Sequence, residues 1–143
     1  MKAKSIKGKT TEEIKAALEE SMADGFRPTL AIVFISISQD RKSVCKILND
    51  AGIQIFGSTT NGEFIDENPE KLSVAILLLD MNPAYFSVLL SEYPEKNYRD
   101  IAKKLAREAK QLFRQPAFLI AASHLETDAE QLLFGLKMKL VKM

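Results

Sequence analysis

The chain has 143 residues, of which 46% are hydrophobic, and this length and composition fit one globular domain with a single core. Lysine and arginine total 20 against 19 acidic residues, so a net charge of +1 provides no broad field that would attract nucleic acid or an anionic membrane. The single cysteine excludes an internal disulfide and is typical of a reducing cytoplasm.

The longest apolar runs cover residues 74–79 and 117–122, and both are far shorter than the roughly 20 residues that cross a bilayer. The sequence also does not open with the charged, apolar and small-residue pattern of a secretory signal. We therefore expect a cytoplasmic protein without a membrane partner.

The first third of the sequence alternates between helix and strand patterns. Thr10 and Glu13 have the spacing of a capping box at the start of an amphipathic helix. Residues 30–37 are apolar or β-branched at consecutive positions, which predicts a strand buried on both faces. Asp40 is placed to cap a second helix, and Gly52 suits the left-handed end of that helix.

Strand patterns dominate the middle of the chain. Residues 53–56 predict a short strand, and residues 72–79 predict a strand in the centre of a sheet because they are apolar at nearly every position. Residues 85–90 predict a further strand, and the short connection before it favours an antiparallel hairpin.

The last third predicts helix, strand and helix. The first of these helices has a stripe at spacings of three and four: Tyr98, Ile101, Leu105, Ala109 and Leu112. Residues 117–122 predict a buried strand, and the final helix, from about Thr127, groups Leu132, Leu133, Leu136 and Leu140. Together the elements predict an α/β fold, with a mixed β-sheet flanked by helices in a single domain. The apolar carboxyl end predicts contact with further sequence or with a second subunit.

A nucleotide-binding enzyme is one alternative, because residues 3–10 are similar to the sequence pattern of a phosphate-binding loop. Residues 77–80 likewise resemble an apolar run that ends in a magnesium-binding aspartate. Such a loop needs a preceding strand and an initial glycine, whereas Ala3 stands at that position and only Met1 and Lys2 precede it. We interpret the segment as an edge strand and a turn, and we predict no cofactor.

Ser123 and His124 follow the strand predicted at residues 117–122, where α/β sheets often expose ligand-binding groups. No second histidine or cysteine lies at metal-ligand spacing, so the sequence predicts neither a metal site nor a catalytic base there. The alternative is that this polar segment only starts the final helix, with Thr127 or Asp128 as its cap. Cys45 lies inside a predicted helix and is interpreted as a small core residue.

The most informative segment is polar and bracketed by glycines: Gly57, Ser58, Thr59, Thr60, Asn61, Gly62 and Glu63. It is predicted as a loop after a strand, in which glycines admit close backbone approach and hydroxyl and amide groups could bind a carboxylate or another small anion. A polar turn that satisfies its own backbone explains the pattern equally well, so side-chain chemistry leaves both interpretations open.

The order of these motifs resembles the start of the FIST domain, in residues 28–34, 55–64 and 72–77. The most distinctive residues of the match are Gly57, Thr59, Thr60, Gly62 and Glu63. Ser58 stands where family members often have cysteine, which removes a thiol from the segment.

The resemblance implies a non-enzymatic sensory domain of intracellular signal transduction that binds a small molecule, with amino acids as candidate ligands. It also implies that residues 1–143 are a partial FIST N-type domain, completed by further FIST sequence or a second subunit and associated with a signalling domain. An oligomerising protein-interaction module is the other alternative to a sensor.

In the expected site, glycines admit the ligand, hydroxyl and amide groups donate hydrogen bonds, and a carboxylate accepts an ammonium group or caps a neighbouring element. These roles are assigned to Gly57 and Gly62, to Ser58, Thr59, Thr60 and Asn61, and to Glu63, with Ser123 and His124 as additions.

Overall fold

A computed structural model describes residues 1–65, 68–70, 72–92, 96–122 and 128–140. The chain divides into two compact units, Met1–Val88 and Leu89–Met143. The first unit contains β1 (Lys2–Gly8), α1 (Thr11–Met22), β2 (Leu30–Ser36), α2 (Arg41–Asp50), β3 (Gln54–Thr60), β4 (Glu63–Ile65), β5 (Asn68–Glu70), β6 (Val74–Asp80) and a 3-10 turn (Pro83–Tyr85). The second unit contains α3 (Tyr98–Leu112) and α4 (Ala129–Leu140).

The main sheet of the first unit has the strand order β1-β6-β2-β3. The pair β2 and β3 is parallel, while β6 pairs antiparallel with both β1 and β2. The predicted α/β class and mixed sheet are therefore confirmed, as is the central position of the strand after residue 72. β4 and β5 form a separate antiparallel pair that the sequence patterns did not predict.

Both helices of the first unit contribute to a core on one face of this sheet. α1 packs on β1, α2 packs on β3, and the two helices contact each other. The core comprises Ile6, Ala31, Val33, Ile35, Val74, Ile76 and Leu78 from the strands, with Ile14, Leu18, Val44 and Leu48 from the helices. β2 is not buried on both faces as predicted, because Phe34 on the opposite face is 44% exposed. The apolar run at residues 30–37 therefore did not indicate which of its faces would be covered.

The predicted helix ends are confirmed by their hydrogen bonds. Thr10 Oγ1 accepts from the main-chain N–H of Glu13 at 3.2 Å, as a capping box requires. The Glu13 carboxylate accepts from the main-chain N–H of Lys9 at 2.6 Å, one residue before the N–H of Thr10 that the capping box would use. Asp40 accepts from the main-chain N–H of Ser43 at 3.2 Å and from its hydroxyl at 2.6 Å. These caps satisfy N–H groups that have no partner within the helix.

β1 confirms the interpretation of the first residues as an edge strand. Each residue from Lys2 to Gly8 is in register with β6, from Lys2 opposite Asp80 to Gly8 opposite Val74. A backbone extended in this ladder cannot curl around a phosphate, and the strand that ought to precede such a loop is instead formed by the segment itself.

The second unit is a pair of helices with a small-residue contact. Ala102, Ala106 and Leu136 are buried together, and Gly135 allows α4 to approach the main chain of Arg99. The predicted helices are present, but their predicted faces are partly wrong, since Leu112 is 56% exposed and Leu133 is 62% exposed. The buried face of α3 instead consists of Tyr98, Ala102, Ala106 and Ala109, so two alanines outside the predicted stripe belong to it while Leu112 does not.

Two predicted strands are absent from the structure. Residues 86–90 and 117–122 have no strand ladder, and Leu90 and Leu119 are 94% and 66% exposed. The hairpin predicted for residues 85–90 is replaced by the 3-10 turn, in which Asn82 Oδ1 accepts from the main-chain N–H of Ala84 at 2.9 Å. An apolar run supplies side chains for a core, but a strand also needs a neighbouring backbone for its hydrogen bonds.

Within the described part of the chain, no helix has the length and apolar character needed to cross a membrane.

Candidate ligand-binding recess

The polar segment predicted as a loop is mostly strand. β3 extends to Thr60, so Gly57, Ser58, Thr59 and Thr60 belong to the parallel ladder with β2, and the loop prediction is wrong for these four residues. Only residues 61–62 lie between β3 and β4. The β-branched threonines extend the strand because β2 continues alongside them as far as Ser36.

A recess of about 240 Å³ lies between β2, α2 and β3 in the first unit. Its walls combine apolar side chains with a few polar groups: Val33 and Ile35 from β2, Arg41, Val44 and Cys45 from α2, and Ile55, Gly57, Ser58 and Thr59 from β3. Three members of the predicted site are therefore brought to one cavity. Thr60, Asn61 and Gly62 do not line it.

The side chains that line the recess follow from the geometry of its elements, because alternate residues of a strand share one face and residues three or four apart in a helix share one side. The register aligns Ile55, Gly57 and Thr59 with alternate β2 residues that face the helical core. On α2, Arg41 and Cys45 are four residues apart and so lie on the same side of the helix. Successive side chains of a strand point to opposite faces of the sheet, so the Ser58 side chain lies on the face away from the recess. Ser58 therefore borders the recess through its main chain.

Gly57 has a structural role at this position. A Cβ atom added there would collide with the carbonyl oxygen of Val33 and would lie 2.8 Å from the carbonyl carbon. Glycine therefore permits the close approach of β3 to β2. The role assigned to Gly57 in ligand approach stays a prediction.

Polar groups at the recess retain hydrogen-bonding capacity. Nothing in the described ranges pairs with the Arg41 guanidinium or with the hydroxyls of Ser58 and Thr59, although the Arg41 main-chain N–H donates to the carbonyl of Gln39 at 2.9 Å. Thr60, in contrast, has an interaction partner. The recess thus combines apolar walls with one cation and at least one available hydroxyl.

The Asp40 carboxylate, which caps α2, forms hydrogen bonds with Ser43. The Ser43 hydroxyl, followed by the Ser43 main-chain N–H, holds the pKa of Asp40 below its ordinary value. Asp40 is therefore ionised at neutral pH, and its oxygens serve the start of α2 rather than the recess. Among the described lining residues, Arg41 is the only charged group.

Six of the nine lining residues were not assigned to the site from the sequence, and two of the six, Arg41 and Cys45, have a charged or a thiol side chain. Cys45 was interpreted as a core residue, but it is only half-buried and borders the recess. Arg41 has the sequence context of a solvated charged residue at a helix start, which does not indicate a site. The available signal was the spacing of Arg41, Val44 and Cys45, which places all three on adjacent parts of one helix surface.

For three of the remaining predicted site residues, the structure does not describe the side chain. Ser123 and His124 lie outside the described residues, as does the side chain of Glu63, whose backbone begins β4. The described ranges contain no group of three or more histidine, cysteine, aspartate or glutamate residues that could hold a metal ion.

The model of the FIST N domain family matches residues 29–142 of the 143. The chain belongs to this family. FIST domains are sensory domains of signal transduction and are not typically enzymes. The FIST N match includes every residue that lines the recess. No curated protein and no solved structure matches the chain.

Proposed function

We propose that this FIST N domain is a non-enzymatic sensor that binds a small molecule in the recess between α2 and β3, with amino acids as candidate ligands. One observation carries the proposal: the most distinctive family segment contributes Gly57 and Thr59 to a cavity whose polar groups include an unpaired arginine among the described residues. A polar turn that satisfied only its own backbone would have neither the cavity nor the spare donors.

The size of the recess suits a metabolite. Pockets for drug-sized molecules occupy about 300–1,000 Å³, and the recess is smaller at about 240 Å³. A ligand of the recess should therefore be smaller than a drug-sized molecule, as small amino acids and short organic acids are.

The lining chemistry supports binding rather than catalysis. A nucleophile such as the Cys45 thiol needs a base within hydrogen-bonding distance, and the described lining includes no histidine and no carboxylate. The arginine, the hydroxyl and the main chain of β3 can instead hold a ligand without changing it.

Signalling requires a ligand to bind two conformations unequally. A ligand between α2 and β3 would favour the arrangement in which the helix and the strand both contact it. We propose that this difference is transmitted in the cytoplasm to a signalling domain, to further FIST sequence or to a second subunit. We propose neither nucleic acid nor membrane as a partner, because the net charge is only +1.

The test is a thermal-shift screen of the purified chain against amino acids and short organic acids. A ligand present at about 100 times its Kd should stabilise the folded state by about 2.7 kcal/mol. Two variants form a matched pair, since both remove the thiol: Cys45→Phe fills the recess and should abolish the shift, whereas Cys45→Ala keeps the recess open and should retain it. An equal shift in both variants would place binding elsewhere, and no shift with any compound would refute the sensor function.

An interaction module is the second candidate function, supported by the exposed leucines of the second unit. Leu119 and Leu133 are 66% and 62% exposed, and exposed apolar residues commonly mark binding surfaces. Analytical ultracentrifugation should then show self-association that weakens in Leu133→Gln, and a monomer at all concentrations would contradict an oligomerising role.

A further inference from the structure

We infer that the recess selects short apolar carboxylates, with Arg41 holding the anionic end. This inference rests on the proposed ligand-binding function and specifies the class of ligand. It follows from the single positive charge of the described lining, the apolar side chains that make up most of the rest, and the absence of a carboxylate from that lining.

The charge of the described lining is positive and localised. Arg41 is the only charged residue among those that border the recess, and its guanidinium has no partner within the described ranges. A guanidinium offers a planar fork of donors that matches the two oxygens of a carboxylate. Arg41 also opens α2, where the helix dipole adds to the attraction for an anion.

Most of the other lining side chains are apolar and would contact the hydrocarbon part of a ligand. Val33, Val44 and Ile55 contribute branched apolar side chains, and Val33 and Val44 belong to the buried core. A bound molecule with a polar group at both ends would leave one of them against these side chains, at the cost of its hydration. The favoured ligand is therefore polar at one end only.

An ammonium group gains little in this environment. The described lining contains no carboxylate to receive it, and Asp40, which accepts two hydrogen bonds from Ser43 at the start of α2, does not line the recess. An amino acid should therefore bind through its carboxylate alone. The corresponding acid without an amino group should bind at least as tightly.

The experiment compares three probes of nearly equal shape by isothermal titration calorimetry: 4-methylpentanoate, leucine and 4-methylpentanamide. The acid should bind about tenfold more tightly than the amide, a modest factor because Arg41 is exposed, and leucine should bind no more tightly than the acid. Arg41→Gln should make the acid and the amide equal. Lys42→Gln is the matched control, because it removes the same charge from the next residue, which does not line the recess.

The outcomes separate this inference from the proposed function. If the acid and the amide bind equally to the unchanged chain, or if leucine binds more tightly than the acid, the selection for apolar carboxylates is wrong. Binding of any of the probes that is lost in Cys45→Phe and kept in Cys45→Ala would still support a ligand site. No binding by these probes or by the wider amino-acid panel would refute both.

Discussion

Replacing Gly57 by alanine should destabilise the first unit, although the same change at an unobstructed position would stabilise it. Alanine restricts the unfolded chain and by itself adds about 0.4–1 kcal/mol to stability. Here the new Cβ would collide with the Val33 carbonyl group, and β2 is held on both sides by β3 and β6. Overpacking of this kind costs about 1–3 kcal/mol, so the steric term should exceed the entropic gain.

The assay is urea unfolding followed by circular dichroism, with thermal unfolding as a second measurement. A net loss of about 1 kcal/mol corresponds to a fall in Tm of about 4–8 °C for a unit of 60–100 residues. Ser58→Ala is the control, because Ser58 is the next residue of β3 and its hydroxyl has no partner among the described residues. A Gly57→Ala chain as stable as the unchanged protein, or more stable, would refute the close approach of β3 to β2.

Three further predictions test other parts of the structure. Leu48→Ala should lower the free energy of unfolding by about 2–5 kcal/mol, since Leu48 is fully buried; urea midpoints measure the loss, and a change below about 1 kcal/mol would contradict its place in the core. The capping contribution of Asp40, whose folded-state pKa is lowered from 3.8, should be present at neutral pH and lost as the pH falls through that lowered pKa. Asp40→Asn should reduce the dependence of the free energy of unfolding on pH in this range. The same loss of stability with falling pH in both chains would contradict the assignment. Gly135→Ala should loosen the contact of α4 with α3, because its Cβ would lie 2.6 Å from that of Ala102. This effect should exceed the gain in helix propensity of about 1 kcal/mol. Limited proteolysis should cleave the variant faster than the unchanged chain, and slower cleavage would show that the helices do not meet there.

Local signals in the sequence predicted the helix boundaries of the first unit well. Thr10 and Asp40 cap the helices that they were expected to cap, and Gly52 ends α2 with a φ of +75°. These features depend on residues only a few positions apart, so composition and spacing contain the necessary information.

Pairing between distant segments was predicted less well. Residues 57–60 appeared to be a loop because glycine and hydroxyl residues are common in turns, but their ladder with β2 makes them strand. Residues 117–122 showed the opposite error, since their apolar run has no strand partner in the structure. In both cases the deciding factor was a neighbouring backbone that periodicity does not identify.

The candidate site divides in the same way. The sequence alone was sufficient to single out Gly57, Ser58 and Thr59 and to identify the FIST N family, because the distinctive residues are contiguous. Only the tertiary structure brought Arg41 and Cys45 to the same recess, since a cavity depends on which face of α2 packs beside β3. That packing is a collective result of the core on one side of the sheet, so the cationic end of the recess could not be inferred from any short stretch of residues.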